Sequence, residues 1–168
     1  RVVAVEPSQK RQALLKENLR RLGGPEMEIH GTTLQDFAAQ RQEAFAGILV
    51  DAPCSGLGVI RRQPDIRWQR SFAALQGYQE KQLALLAAAS GLVEKGGVLV
   101  YATCSIDPKE NDEVIAAFIQ EHPEFSITQA QEYLPEAARS LCDGMGFLKT
   151  TPEQGLDGFF AARLVRKG

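Results

Sequence analysis

Short apolar runs alternate with amphipathic stretches along this chain, and that alternation narrows the fold more than any other feature. The runs at 1–5 (RVVAV), 47–51 (GILVD) and 98–103 (VLVYAT) are five or six residues long, the length of strands rather than helices. The run at 47–51 lacks a polar alternation, as expected of a strand buried on both faces of a sheet. Between them lie stretches with helical periodicity. Pro7 and Ser8 open one that reaches about Leu22, where Gly23-Gly24 stop it. Residues 26–30 read as a short strand, and a possible short helix leads to Ala46. Residues 52–70 read as loop, 72–93 as a long helix ended by Glu-Lys-Gly-Gly, and 108–120 as a further helix opened by Pro108. In the long helix Leu83, Leu86, Ala87 and Leu92 form an apolar stripe. Residues 123–128 suggest a strand, and the tail reads as two strands joined by a turn. Strands alternating with helices imply an α/β doubly wound sheet with parallel strands, closed by an antiparallel hairpin at its edge.

The 168 residues suffice for one domain with a sizeable core. No apolar run approaches the roughly 20 residues that span a bilayer, and the first residues do not read as a signal peptide. Three widely spaced cysteines suggest reduced thiols in a cytoplasmic protein rather than a disulfide framework. With two histidines and no zinc-ligand spacing, no metal is expected. A net charge of −2 provides no global basic field, so nucleic-acid contact would need a local patch.

Ligands of open α/β sheets bind beyond the carboxyl ends of the strands. Glu6, Asp51, Cys54 and Cys104 all fall just past such ends. An acid in the position of Glu6 suits a ribose hydroxyl pair, or equally the dipole of the helix that follows. A lone cysteine is usually a small buried hydrophobe. Two of them, in Asp-Ala-Pro-Cys-Ser-Gly (51–56) and Thr-Cys-Ser (103–105), suggest one shared site. Cys142 has no such context and reads as structural.

The segments DAPCSG, YATCSIDPKEN and DGFFAARL resemble those of the bacterial RNA cytosine-C5 methyltransferases that use S-adenosylmethionine. GVIRRQPDIRW, residues 58–68, is similar to the Sun (Fmu-like) branch, which modifies 16S ribosomal RNA. The resemblance runs from Val2 to Arg166 and implies a Rossmann-like class I methyltransferase sheet. It implies that Cys104 is the nucleophile that adds to cytosine C6, which makes C5 reactive toward the methyl sulfonium. Asp51 would contact the pyrimidine edge near N3 and also count among the cofactor contacts. Cys54 would assist loss of the C5 proton and release of the product. Glu6 would hold the cofactor ribose. The target cytosine would have to leave its stack.

The chain departs from the family pattern at Thr32, where an acid usually meets the cofactor adenine; Asp36, one helical turn on, is the expected substitute. No glycine-rich cofactor turn occurs in the sequence, so a first strand and its turn are expected to precede Arg1. A chain lacking them is expected to fold marginally, to bind little cofactor and to associate through unpaired strand edges. Arg61, Arg62, Arg67 and Arg70 are expected to contact RNA phosphates. Trp68 among them is expected to pack in the core. The competing reading is a non-catalytic RNA-binding or ribosome-assembly module that keeps the methyltransferase fold. A nicotinamide oxidoreductase would need a Gly-x-Gly-x-x-Gly turn, which is absent.

Overall fold

The apolar runs become strands where expected in the computed structural model, which describes residues 1–24, 26–41, 44–69 and 72–168. These form two compact units, Arg1–Glu43 and Ala44–Gly168. In the first, β1 (Val2–Val5) pairs in parallel with β2 (Met27–His30). Helix α1 (Gln9–Leu22) joins them. The Ser8 side chain accepts from Arg11 N at its start, and Gly23 ends it with φ of 61°, a left-handed conformation that suits glycine. Helix α2 (Leu34–Gln40) starts at Thr33, whose hydroxyl accepts from Asp36 N, and buries Phe37. The ring of Phe37 lies 5.0 Å from that of His30 and under the Arg41 guanidinium.

The second unit holds a five-stranded sheet in the order β3-β4-β7-β5, with β6 also paired to β7. Strand β3 (Phe45–Asp51) runs parallel to β4 (Val93–Thr103). Between them come helices α3 (Ile66–Gln69) and α4 (Phe72–Ser90). Helix α5 (Asp112–Glu121) follows β4. Strands β5 (Phe125–Ile127), β6 (Leu148–Thr150) and β7 (Phe159–Arg166) complete the sheet, all of them antiparallel to their neighbours. The core lies where α4 and α5 pack on the sheet, around Leu86, Leu99, Ile115, Phe118 and Phe160. Burying each such side chain contributes about 1.5–3 kcal/mol. Among the described residues no helix is long and apolar enough to cross a membrane.

Four expectations need correction. The tail hairpin does not lie at the sheet edge, because β7 sits between β4 and β5. Gly96 and Gly97 do not end the long helix. That helix stops at Ser90, and β4 begins at Val93 with a bulge, Gly96 taking φ of 78°. The buried face of α4 includes Gln82, Leu86, Ala89 and Ser90, while Ala87 is exposed. Pro108 opens a single 3-10 turn, Pro108–Glu110, and the α-helix starts only at Asp112.

Candidate active site

Parallel pairing of β3 with β4 sets Asp51 opposite Ala102. Both strands then run out on the same edge, and the turn after each carries a cysteine. Ala52 N donates to Ala102 O at 2.9 Å, which continues the ladder into the first turn. Gly58 N donates to Cys104 O at 3.0 Å and binds the far side of that turn to the second. The result brings Cys54 Sγ to 3.0 Å from Cys104 Sγ, both as free thiols.

This contact divides the two thiols chemically. Cys54 is the more deeply buried and keeps its proton. Its S–H, directed at Cys104, lowers the Cys104 thiol from the ordinary 9.0 to about 7, against burial and the charges of Asp51 and Glu110. The same hydrogen bond, with burial, pushes Cys54 far above the usual thiol range. Within the pair Cys104 is the thiol more readily ionised, and Cys54 the one that holds its proton. Asp51 closes β3 with an exposed side chain.

Polar groups fix the turn around Cys104. Thr103 Oγ1 donates to Asn111 Oδ1 at 2.7 Å, and Asn111 Nδ2 returns a hydrogen bond to Ser105 O at 2.9 Å. Tyr101, fully buried, donates its hydroxyl to Glu110 O at 2.6 Å. A carboxylate absent from the sequence reading also lies here. Glu110 is 0 % exposed and bonds Ser55, Ser105 and Gln82. Its only sequence signal is its place in Pro-Lys-Glu-Asn after the second cysteine, where a charged residue reads as surface.

The loop after Cys54 is tied down by a second approach. Gly158 N donates to Gly58 O at 2.8 Å, and a Cβ on Gly58 would fall 1.9 Å from Gly158 O. Beside it the buried Asp157 accepts from Arg62 Nε at 2.7 Å and faces Arg61 at 3.6 Å. The two arginine side chains remain 57 % and 71 % exposed. Arg67 is also exposed and lies over the Trp68 ring. Trp68 is 83 % exposed, against the expectation that it packs in the core; Ile66 is the residue that this short helix buries. Arg70 lies outside the described residues. A cleft of about 120 Å³ opens beside Ser105 and Ile106, with Lys149 and Phe159 in its wall.

In the first unit Glu6 stands at the carboxyl end of β1, its backbone N donating to His30 O at 3.0 Å. One carboxylate oxygen accepts from Ser8 N at 2.7 Å. The other meets the exposed Arg11 at 3.5 Å. Thr32 follows β2 and is half-buried. Asp36 is exposed, and its carboxylate accepts from Thr33 Oγ1 at 2.6 Å. Glu6 and Thr32 thus follow the carboxyl ends of one parallel strand pair, and Asp36 lies in the first turn of the helix after it. Cys142 stands apart from both thiols, in an isolated bridge to Leu148.

Residues 1–165 match the family described as 16S rRNA methyltransferase RsmB/F. The chain is 45 % identical over 160 residues to the probable ribosomal RNA small subunit methyltransferase B of Bacillus subtilis, covering 92 % of this chain and 35 % of that one. It is 39 % identical over 166 residues to ribosomal RNA small subunit methyltransferase B of Yersinia pseudotuberculosis, covering 99 % and 37 %. The chain thus spans about a third of the length of these relatives. The crystal structure of NSun6 from Pyrococcus horikoshii with SFG superposes with a TM-score of 0.82 at 25 % identity, over 99 % of this chain and 41 % of that one.

Proposed function

The chain belongs to the 16S rRNA methyltransferase RsmB/F family, and from that premise we propose that it carries the catalytic residues for methylating C5 of a cytosine in 16S ribosomal RNA. Its fold is the class I methyltransferase α/β sheet, and S-adenosylmethionine is the cofactor of the family. The observation that carries the proposal is the 3.0 Å approach of two free thiols at the ends of adjacent parallel strands.

Cytosine C5 is a weak nucleophile. The Cys104 thiolate adds to C6 of the extruded base, and the electron pair of the C5–C6 bond becomes available at C5. Asp51, at the end of β3, meets the pyrimidine edge and balances charge on the ring. The bound cofactor supplies an electrophilic methyl group. Once C5 is methylated, its proton must leave before the C6–sulfur bond can break. Cys54, adjacent to Cys104, first releases its own proton to solvent and as thiolate takes the C5 proton. The C5–H electron pair restores the C5–C6 double bond as the C6–sulfur bond breaks and the Cys104 thiolate departs. Glu6, Thr32 and Asp36 hold the cofactor's adenosine part, and Asp51 also counts among the cofactor contacts. Arg61, Arg62, Arg67 and Arg70 contact RNA phosphates. For Arg61 and Arg62 the Asp157 carboxylate fixes the loop without covering the guanidinium groups.

Incubating the full-length protein with unmodified small-subunit RNA and S-adenosylmethionine tests this reading. Nucleoside mass spectrometry is expected to find 5-methylcytidine, and none with Cys104→Ala. Methylation of another base, or of another cytosine position, would refute the C5 mechanism. RNA binding without any methylated nucleoside would support the non-catalytic module instead.

A further inference from the structure

Glu110 contributes no atom to the proposed reaction, yet it is a fully buried carboxylate between the two catalytic turns. It lies in the 3-10 turn before α5, and it accepts four hydrogen bonds. Oε1 accepts from Ser55 N at 2.8 Å and from Gln82 Nε2 at 3.1 Å. Oε2 accepts from Ser105 Oγ at 2.6 Å and from Ser55 Oγ. All of these partners are neutral donors. Burying an ionised carboxylate is costly even when its lone pairs are filled, and an apolar side chain in such a place is commonly neutral or stabilising. Core packing therefore does not account for a carboxylate here.

The partners indicate what does. Ser55 follows Cys54 and Ser105 follows Cys104. The two serines come from turns at the ends of different strands, and both are buried. We propose that Glu110 is a positioning residue that ties the Cys54 turn to the Cys104 turn through Ser55 and Ser105, and thereby sets the distance between the two sulfurs. Gln82 supports the bridge from α4, since its Nε2 also donates to Pro53 O at 3.0 Å. The same side chain thus holds the carboxylate and the residue just before Cys54. One carboxylate with two oxygens can hold two turns in register where one hydroxyl could not.

This role rests on the reading of Cys104 as nucleophile and Cys54 as its partner. The inter-thiol hydrogen bond weakens as the two sulfurs move apart, and with it the stabilisation of the Cys104 thiolate. The sign of the effect depends on how the bridge is broken. Glu110→Gln removes a negative charge near Cys104, which favours the thiolate, and loosens the turns, which disfavours it. The double substitution Ser55→Ala, Ser105→Ala keeps the charge and removes the hydroxyl tethers, so it isolates geometry.

The test measures iodoacetamide alkylation of Cys104 against pH in the full-length protein, resolved by peptide mass spectrometry, alongside steady-state kinetics and thermal unfolding. In the double variant the alkylation midpoint is expected to rise by at least one pH unit. The kcat should fall by about 100-fold, as for a misplaced reacting group, with KM for RNA changed less than about twofold. Glu110→Gln should lose kcat with a smaller rise in midpoint. An unchanged midpoint, with activity falling only in step with the folded fraction, would overturn the positioning role. The alkylation profile needs neither RNA nor cofactor. A wild-type protein that fails to methylate RNA would refute the proposed function while the profile still decides the role of Glu110.

Discussion

At the scale of the residue, the account rests on an asymmetry between two chemically identical side chains. Cys54 and Cys104 differ in burial and in which one carries the shared proton. Alkylation of Cys104 in the otherwise unmodified protein is expected to rise with pH through about 7. Because the Cys54 S–H is the chief cause of that lowering, Cys54→Ala should move the midpoint up toward the ordinary 9.0. A midpoint that stays near 7 would place the stabilisation elsewhere. The sequence made both cysteines legible, because each follows an apolar strand and is flanked by proline or threonine. It did not make Glu110 or Gln82 legible. A buried polar group is identified by its partners, and these partners are separated by 55 and 28 residues along the chain. Trp68 failed in the opposite direction: its size suggested burial, but its short helix turns Ile66 inward instead.

At the scale of the element, the strand ends hold the site and glycines permit its closure. Gly58 lets the Cys54 loop approach the start of β7 closely enough for Gly158 N to reach Gly58 O. Gly58→Ala should therefore destabilise the fold by about 1–3 kcal/mol in denaturant titration, as overpacking does. It should also reduce activity beyond that loss, because Gly58 N holds Cys104 O. Gly96→Ala offers the contrast. Its left-handed φ costs about 1–2 kcal/mol for a side chain, and the bulge is remote from the turn at Thr103 in sequence, so activity per folded molecule should be unchanged. If Gly58→Ala were neutral in both measurements, the clamp on the Cys54 loop would carry no weight. Helix α1 and strands β1 to β3 were readable to within two residues, since apolar runs, Ser8 and the Gly23 stop all agree. The start of β4 was not, because a bulge at Gly96 and a helix stop share the same residues, and only pairing of Val93 with Phe45 separates them. The inner place of β7 was equally hidden: a hairpin pattern fixes which strands are antiparallel, not which neighbours they take.

At the scale of the whole molecule, the two units differ in how much they bury. Helix α1 has no buried residue, and among the described residues β1 pairs only with β2. The second unit holds Leu99, Tyr101, Val114, Ile115 and Leu164 at 0 % exposure. Amide exchange in this 168-residue chain is thus expected to be fastest in α1, β1 and β2 and slowest in β4 and β7. Equal protection throughout would show that the units unfold as one. Strand β3 has one edge unpaired among the described residues, with Leu49 on it 68 % exposed. That strand continues to Asp51 and the turn that carries Cys54. In the proposed reaction one thiol makes the bond to RNA and the other helps to break it. A denaturing gel of the full-length Cys54→Ala variant with substrate RNA and S-adenosylmethionine separates the two roles. A denaturant-stable protein–RNA band is expected to accumulate with Cys54→Ala and to be absent with Cys104→Ala. A stable band from Cys104→Ala, or none from Cys54→Ala while Cys104 remains reactive, would contradict this division of roles.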